Sequence, residues 1–181
     1  MKPSVKYGLI TAVTGIVISM IIFLIGLDKS QTGENLGYIN IVILIAAMVM
    51  AVKERRENEL GGFIEFGQAF STGMMVVLIA SAITAVYTFL YISVINPGFR
   101  DYVLQKQITK METSGQSQEQ IDMALPYVEK FMTPVMMTLF TFLGGLVVGV
   151  IIALIIAAIM KKSNPNPFSN TEPASAGSVT S

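Results

Sequence analysis

Thirty residues near the end of the chain decide its fold class: FMTPVMMTLFTFLGGLVVGVIIALIIAAIM, residues 131–160. This stretch contains no charged residue and exceeds the roughly 20 apolar residues that a helix needs to cross a bilayer. Thr133 and Pro134 are typical of a helix start, as N-cap and first helical residue. Lys161 and Lys162 end the uncharged run. We therefore predict a membrane-spanning helix over residues 134–160.

Three other windows of the chain are also free of charge, at residues 7–27, 35–52 and 66–99. Together the four windows hold 103 of the 181 residues, so all 24 charged residues lie in the other 78. Soluble domains do not segregate charge in this way. The predicted fold class is all-α, an integral membrane four-helix bundle in one domain, residues 1–162. Its predicted spans are residues 7–27, 36–52, 71–95 and 134–160.

The segments between and after the spans differ in character. Residues 28–35 read as a short polar turn. An apolar stripe predicts an interfacial helix that leads into the third span; it consists of Phe63, Phe66, Phe70, Met74 and Val77. Residues 99–133 predict an extramembrane helical hairpin, whose second helix opens with a capping box at Ser117 and Gln120. Residues 163–181 are polar and predict a disordered tail.

Positive charge flanks the spans unevenly, and this predicts the orientation. Basic residues next to spans favour the cytoplasmic side. They cluster before the first span, after the second and after the fourth: Lys2, Lys6, Arg55, Arg56, Lys161 and Lys162. We therefore predict that both termini are cytoplasmic.

The absence of certain residue types excludes several kinds of catalytic and binding site. The chain has no cysteine and no histidine, so a thiolate nucleophile and the commonest general base are absent. No span carries an ionisable side chain other than tyrosine near its middle, unlike pumps and proton-coupled carriers. Zero net charge offers no basic surface for nucleic acid. We predict a protein that is not an enzyme, with no catalytic, cofactor-binding or metal-binding residues, no cofactor and no identifiable small-molecule ligand.

Small residues recur at every fourth position of the fourth span. Such a stripe lets two helix backbones approach closely in a membrane. One interpretation is packing of the fourth helix against the first or third; the other is a seam between copies of the chain. The stripe comprises Gly145, Gly149, Ala153 and Ala157.

Three short stretches carry a resemblance to a known family: GFIEFGQAF at residues 62–70, INPGF at 95–99 and FMTP at 131–134. With them, the chain resembles the bacterial four-span membrane proteins known as domain of unknown function 4199. The resemblance implies four helices in a bacterial inner membrane, and it implies no activity or site residue. The family often has an acid before the proline, where this chain has Asn96.

Two functions remain open from the sequence. The first is a structural or accessory membrane protein whose partners are the lipid bilayer, itself or other membrane proteins. The alternative is a subunit of an oligomeric transporter or channel, which needs a polar, water-accessible surface within the spans. The two are separated by whether five residues converge on one surface: Ser19, Ser81, Thr84, Thr88 and Thr141.

Overall fold

The structure is a computed structural model that describes residues 1–164. Within them the chain forms seven α-helices and one π-helical turn. The α-helices are α1 (Pro3–Leu24), α2 (Gln31–Gly37), α3 (Ile39–Asn58), α4 (Phe66–Leu90), α5 (Gly98–Thr113), α6 (Gln118–Phe131) and α7 (Pro134–Met160). The π-helical turn, Tyr91–Ile95, extends α4. The predicted polar tail lies outside the described residues from residue 165 onward.

Four helical stretches are long and apolar enough to cross a membrane: Pro3–Leu24, Gln31–Asn58, Phe66–Ile95 and Pro134–Met160. Among residues 1–164 there is no β-strand, only one isolated bridge. The all-helical class and the four apolar helices are therefore confirmed.

Helix α4 holds the four long helices together. It packs most extensively against α7, then α1, then α3, and α1 also packs against α3. At one end of these helices α1 and α4 begin while α3 and α7 end; we call it the Lys53 end. At the opposite end, the hairpin end, α5 and α6 connect α4 to α7. The largest fully buried side chains lie toward the Lys53 end: Met48, Val52, Ile64, Thr72, Val76 and Val77.

The interfacial helix predicted before the third span is absent as a separate element. Helix α4 starts at Phe66 and continues unbroken to Leu90. Its start is set by a capping box between Glu65 and Gln68, and the rings of Phe66 and Phe70 stack within its first turns. The prediction was wrong because no proline or left-handed glycine interrupts residues 66–90. The aromatic stripe is part of the span helix itself.

The polar turn predicted between the first two spans is partly helical. Ser30 caps α2 by accepting a hydrogen bond from the backbone N–H of Gly33 (3.1 Å), and Glu34 lies in the first turn. Both features stabilise a helix start. Gly33 packs against the chain so closely that an added Cβ would lie 1.9 Å from the carbonyl oxygen of Leu27.

Helices α5 and α6 form the segment between α4 and α7. The capping box predicted at Ser117 and Gln120 is confirmed. Helix α6 packs against α5, and Ile121 of α6 is buried. The Arg100 Nε donates to the carbonyl oxygen of Met132 (3.0 Å), which ties the start of α5 to the end of α6.

A backbone bridge closes the Lys53 end and was not predicted. The Ile64 N–H donates to the Lys162 carbonyl (2.9 Å), and the Lys162 N–H donates back to the Ile64 carbonyl (2.8 Å). Ile64 is only 1% exposed. The bridge therefore joins the entrance of α4 to the exit of α7.

Candidate functional site

A cavity of about 400 Å³ lies between the four long helices, in the half nearer the hairpin end. All four helices contribute to its wall. They supply Thr11, Gly15, Ile16 and Ser19 from α1, Asn40, Ile41 and Leu44 from α3, Ala80, Ser81, Thr84, Tyr87 and Thr88 from α4, and Thr141, Gly144, Gly145 and Val148 from α7. Its volume falls in the range of small-molecule sites, roughly 300–1,000 Å³.

The five hydroxyl residues whose convergence separates the two functions all line this cavity: Ser19, Ser81, Thr84, Thr88 and Thr141. Three of them share one face of α4, because they follow a spacing of three and four residues. The lining contains no Asp, Glu, Lys or Arg. The cavity is therefore a largely apolar space with neutral hydrogen-bonding groups.

Asn40 is a residue of the cavity wall whose side-chain oxygen lacks a hydrogen-bond donor within the described part of the chain. Its Oδ1 atom is buried and has no hydrogen-bond partner among residues 1–164. It faces Gly15 of α1, where an added Cβ would lie 3.3 Å from that oxygen. A buried acceptor without a donor costs about 1–3 kcal/mol. A ligand that donates a hydrogen bond to Asn40 would recover that energy.

Tyr87 joins α1 and α4 beside the cavity. Its hydroxyl donates to the Ser19 Oγ (3.1 Å). A serine hydroxyl can both accept and donate, so Ser19 can also donate a hydrogen bond at the cavity wall. The wall thus offers both an acceptor, at Asn40, and a donor, at Ser19.

Helix α7 lies close to α4 along a row of small residues that passes the cavity. Toward the Lys53 end, a Cβ added at Gly149 would lie 2.3 Å from Val77 Cγ1, and one added at Gly73 would lie 3.3 Å from Ala153 Cβ. Nearer the hairpin end, a Cβ at Gly145 would lie 3.0 Å from Ser81 Oγ, and one at Gly144 would meet nothing within 4 Å. Three members of the predicted stripe, Gly145, Gly149 and Ala153, face α4 of the same chain, and the fourth, Ala157, is buried.

Above the cavity, a polar cluster closes the hairpin end. The Asn96 Nδ2 donates to Asp28 Oδ2 (2.6 Å) and to the Tyr91 hydroxyl (3.1 Å), and that hydroxyl donates to the same Asp28 oxygen (3.3 Å). Tyr91 and Asn96 are both buried. The backbone N–H of Asn96 donates to the Tyr91 carbonyl oxygen five residues earlier (2.7 Å), which is the π-helical pattern. This turn places the side-chain amide of Asn96 within hydrogen-bond distance of Asp28.

A second contact at this end holds α5 against α2. Lys106 and Tyr102 of α5 both donate to the Glu34 carboxylate. The hydrogen bond to Glu34 raises the pKa of Lys106 above its usual value. Partial burial, together with the bond to Glu34, raises the pKa of Tyr102.

The Lys53 end carries its own polar contacts. Glu54 accepts hydrogen bonds from the Lys6 amine (2.8 Å) and the Tyr7 hydroxyl (2.9 Å), joining α1 to α3. Arg55 Nη1 donates to Thr72 Oγ1 (2.7 Å), joining α3 to α4. These contacts hold α1, α3 and α4 together on the Lys53 side of the cavity, where small residues also pack tightly.

Sequence reasoning named the five hydroxyl residues but did not find Asn40, Tyr87 or Asp28 as parts of one region. The available signal was weak: Asn40 and Tyr87 lie near span ends, where polar groups are ordinary. Among residues 1–164, no group of three or more Asp or Glu residues is arranged to hold a metal ion.

Comparison with known proteins identifies the family of the chain. A search of curated proteins and a search of solved structures each returned no match. A family profile described as "Protein of unknown function (DUF4199)" matches residues 6–162. Because this match covers most of the sequence, from the first span to the end of the fourth, the chain belongs to the DUF4199 family.

Proposed function

We propose that this protein is a non-enzymatic, multi-pass protein of the bacterial inner membrane that binds a small uncharged amphiphile in the cavity, as a subunit of a transporter or channel. The single observation that carries the proposal is the convergence of Ser19, Ser81, Thr84, Thr88 and Thr141 on one cavity with the unpartnered Asn40 oxygen. It favours this function over a purely structural role.

The chemistry of the wall defines the ligand class. An uncharged lining disfavours an ion, because a charge at membrane depth needs a partner. Mostly apolar walls with a few hydroxyls suit a ligand with a hydrocarbon body and a polar head. The Asn40 oxygen needs a hydrogen-bond donor, so an alcohol or amide fits better than an ether or ester. No carboxylate or lysine lines the cavity to activate a hydroxyl, which supports a binding role without catalysis.

An octanol that carries a photoactivatable diazirine on its chain tests this proposal on the full chain in detergent. We expect labelling to map to residues 80–88 and 141–148, and excess 1-octanol to compete while methyl octyl ether does not. Gly144→Leu projects into the cavity and should lower labelling at least roughly fivefold, the loss of about 1 kcal/mol of binding energy. Asn40→Leu should abolish the preference for the alcohol over the ether.

Val147→Leu is the matched control, because Val147 is 62% exposed on α7 and does not line the cavity. It should label like the wild type. Equal labelling of the wild type and Gly144→Leu, or competition by the ether as strong as by the alcohol, would contradict the proposal.

A second candidate function is an accessory protein that docks through the hairpin. One face of α6 carries three exposed apolar side chains at a spacing of four residues, Met123, Tyr127 and Phe131. Such a face fits a protein partner or the membrane surface. An accessory protein without a ligand would show no label that octanol displaces, so the same experiment separates the two candidates.

The proposed orientation has both termini and the Lys53 end in the cytoplasm. It is supported by the clustering of Lys2, Lys53 and Lys162 at one end of the helices, as the Lys6–Glu54 pair and the Ile64–Lys162 bridge require. The chain has no cysteine, so single cysteines report sidedness cleanly. In intact cells, we expect a membrane-impermeant maleimide to label Ser117→Cys and to spare Asn58→Cys until the cells are lysed. The reverse pattern would invert the topology.

A further inference from the structure

A second cavity, of about 290 Å³, opens at the Lys53 end between the start of α1, the end of α3 and the start of α4. We call it the Lys2 pocket. Its polar lining consists of Lys2, Ser4, Arg55, Glu59, Ser71 and Thr72. It lies at the opposite end of the helices from the amphiphile cavity and shares no residue with it.

Several hydrogen-bond donors of this pocket are unused. Ser4, which is only 9% exposed, lines the pocket. Lys2 makes no ion pair within the same residues, whereas Lys6 pairs with Glu54 and Arg56 with Glu57. The ammonium group of Lys2 is therefore available to an anion that binds in the pocket.

Arg55 is held in place through two of its three guanidinium nitrogens. Its Nη1 donates to Thr72 Oγ1 (2.7 Å) and to the Gln68 carbonyl (3.3 Å), and its Nε lies 3.6 Å from Glu59 Oε2. The N–H groups of Nη2 have no partner within the described part of the chain. A guanidinium held through Nη1 and Nε presents its Nη2 donors in a defined direction, as anion recognition requires.

The net charge of the Lys2 pocket is positive, which favours the binding of an anion. Lys2 and Arg55 outnumber the one acid, Glu59. The first turn of α1 adds partial positive charge, since no side chain caps it. The unused donors come from two helix ends, the start of α1 and the end of α3, and a tetrahedral oxyanion has enough acceptor oxygens to bind donors at both.

We propose that the Lys2 pocket binds a phosphate group, as the headgroup of an anionic phospholipid or as free phosphate. The position favours the headgroup, because exposed Met75 and Leu78 continue along α4 below the pocket and offer an apolar track for an acyl chain. Basic pockets between membrane helices bind anionic headgroups by the same chemistry.

Lys2 and Lys53 supply a matched pair of variants. Both are exposed lysines at the same end, neither makes an ion pair within residues 1–164, and only Lys2 lines the pocket. Native mass spectrometry of the full chain would measure binding of phosphatidylglycerol and of diacylglycerol, which lacks the phosphate. We expect Lys2→Gln to weaken phosphatidylglycerol binding on the order of tenfold, the effect of one charge-assisted hydrogen bond. Lys53→Gln should leave it unchanged.

Inorganic phosphate separates the two sources of the group. If the occupant is a lipid, millimolar phosphate should leave phosphatidylglycerol bound; if it is free phosphate, the same addition should displace the lipid and bind with the same dependence on Lys2. If Lys2→Gln and Lys53→Gln weaken phosphatidylglycerol binding equally, general surface charge and not the Lys2 pocket accounts for the binding. Diacylglycerol bound as tightly as phosphatidylglycerol would show that the phosphate is not recognised. Either result overturns the proposal.

Discussion

Gly149→Leu is expected to force α7 away from α4 and to lower thermal stability in detergent. A Cβ at this position would lie 2.3 Å from Val77 Cγ1 and 2.6 Å from Val77 Cγ2, and Val77 is itself buried. Neither side chain has space to move aside, so the helices must separate or rotate. Overpacking of this kind typically costs about 1–3 kcal/mol. Few other forces hold helices together in lipid, so the loss should be large.

Gly144→Leu is the matched control, because it makes the same substitution in the same helix. A Cβ at Gly144 would meet nothing within 4 Å, so its midpoint temperature should change little. Equal loss of stability in both variants would show that the close contact between Gly149 and Val77 is not responsible, since leucine is a better helix former than glycine at either position. If Gly149→Leu leaves the monomer stable but abolishes a cross-linked dimer, the stripe is a seam between copies of the chain.

Asn96→Asp is expected to destabilise the hairpin end by roughly 2–3 kcal/mol near neutral pH, the cost of unpairing buried polar groups. The Asn96 amide donates to Asp28 at 2.6 Å and is buried. The substitution removes that donor and places a second carboxylate against the first. As the pH falls, one of the two carboxyl groups takes up a proton and can donate to the other. The stability gap to the wild type should therefore narrow from about pH 8 to about pH 5.

Asn35→Asp provides the control for the added charge. Asn35 is exposed at the same end of the molecule, and its side chain accepts only a long bond (3.4 Å) from Gln31. Thermal melts of both variants across this pH range should separate them, with Asn35→Asp close to the wild type throughout. A constant gap for Asn96→Asp would mean that the two carboxylates do not share a proton.

The four long helices were predictable from the sequence because their signals are local. Absence of charge over 18 or more residues identified each span, and Thr133 with Pro134 located the start of α7 at Pro134. The capping box at Ser117 and Gln120 also depends on residues only three positions apart. Hydropathy and capping need no knowledge of what lies across the helix.

Local sequence signals gave wrong or missing predictions where the structure depends on the continuity of a helix or on contacts between distant residues. The aromatic residues Phe66 and Phe70 suggested a separate interfacial helix, yet nothing between them and Leu90 breaks the backbone. Ser30 and Gly33 begin a short helix in the segment that read as a turn. The β-bridge between Ile64 and Lys162 joins residues nearly a hundred positions apart, and neither carries a local sign of it.

The sequence by itself determined the class of the protein, its four apolar helices and the residue types that any site could use. The tertiary structure decided which of those residues meet. The close approach at Gly149 depends on the path of α7 over α4, and the cavity around Asn40 and the hydroxyl groups depends on the placement of all four long helices. The hydropathy of a span can be read from one segment of the chain, whereas a cavity depends on how four helices are placed. Periodicity therefore places a side chain on one face of a helix, but it does not show which residues of another helix that face contacts.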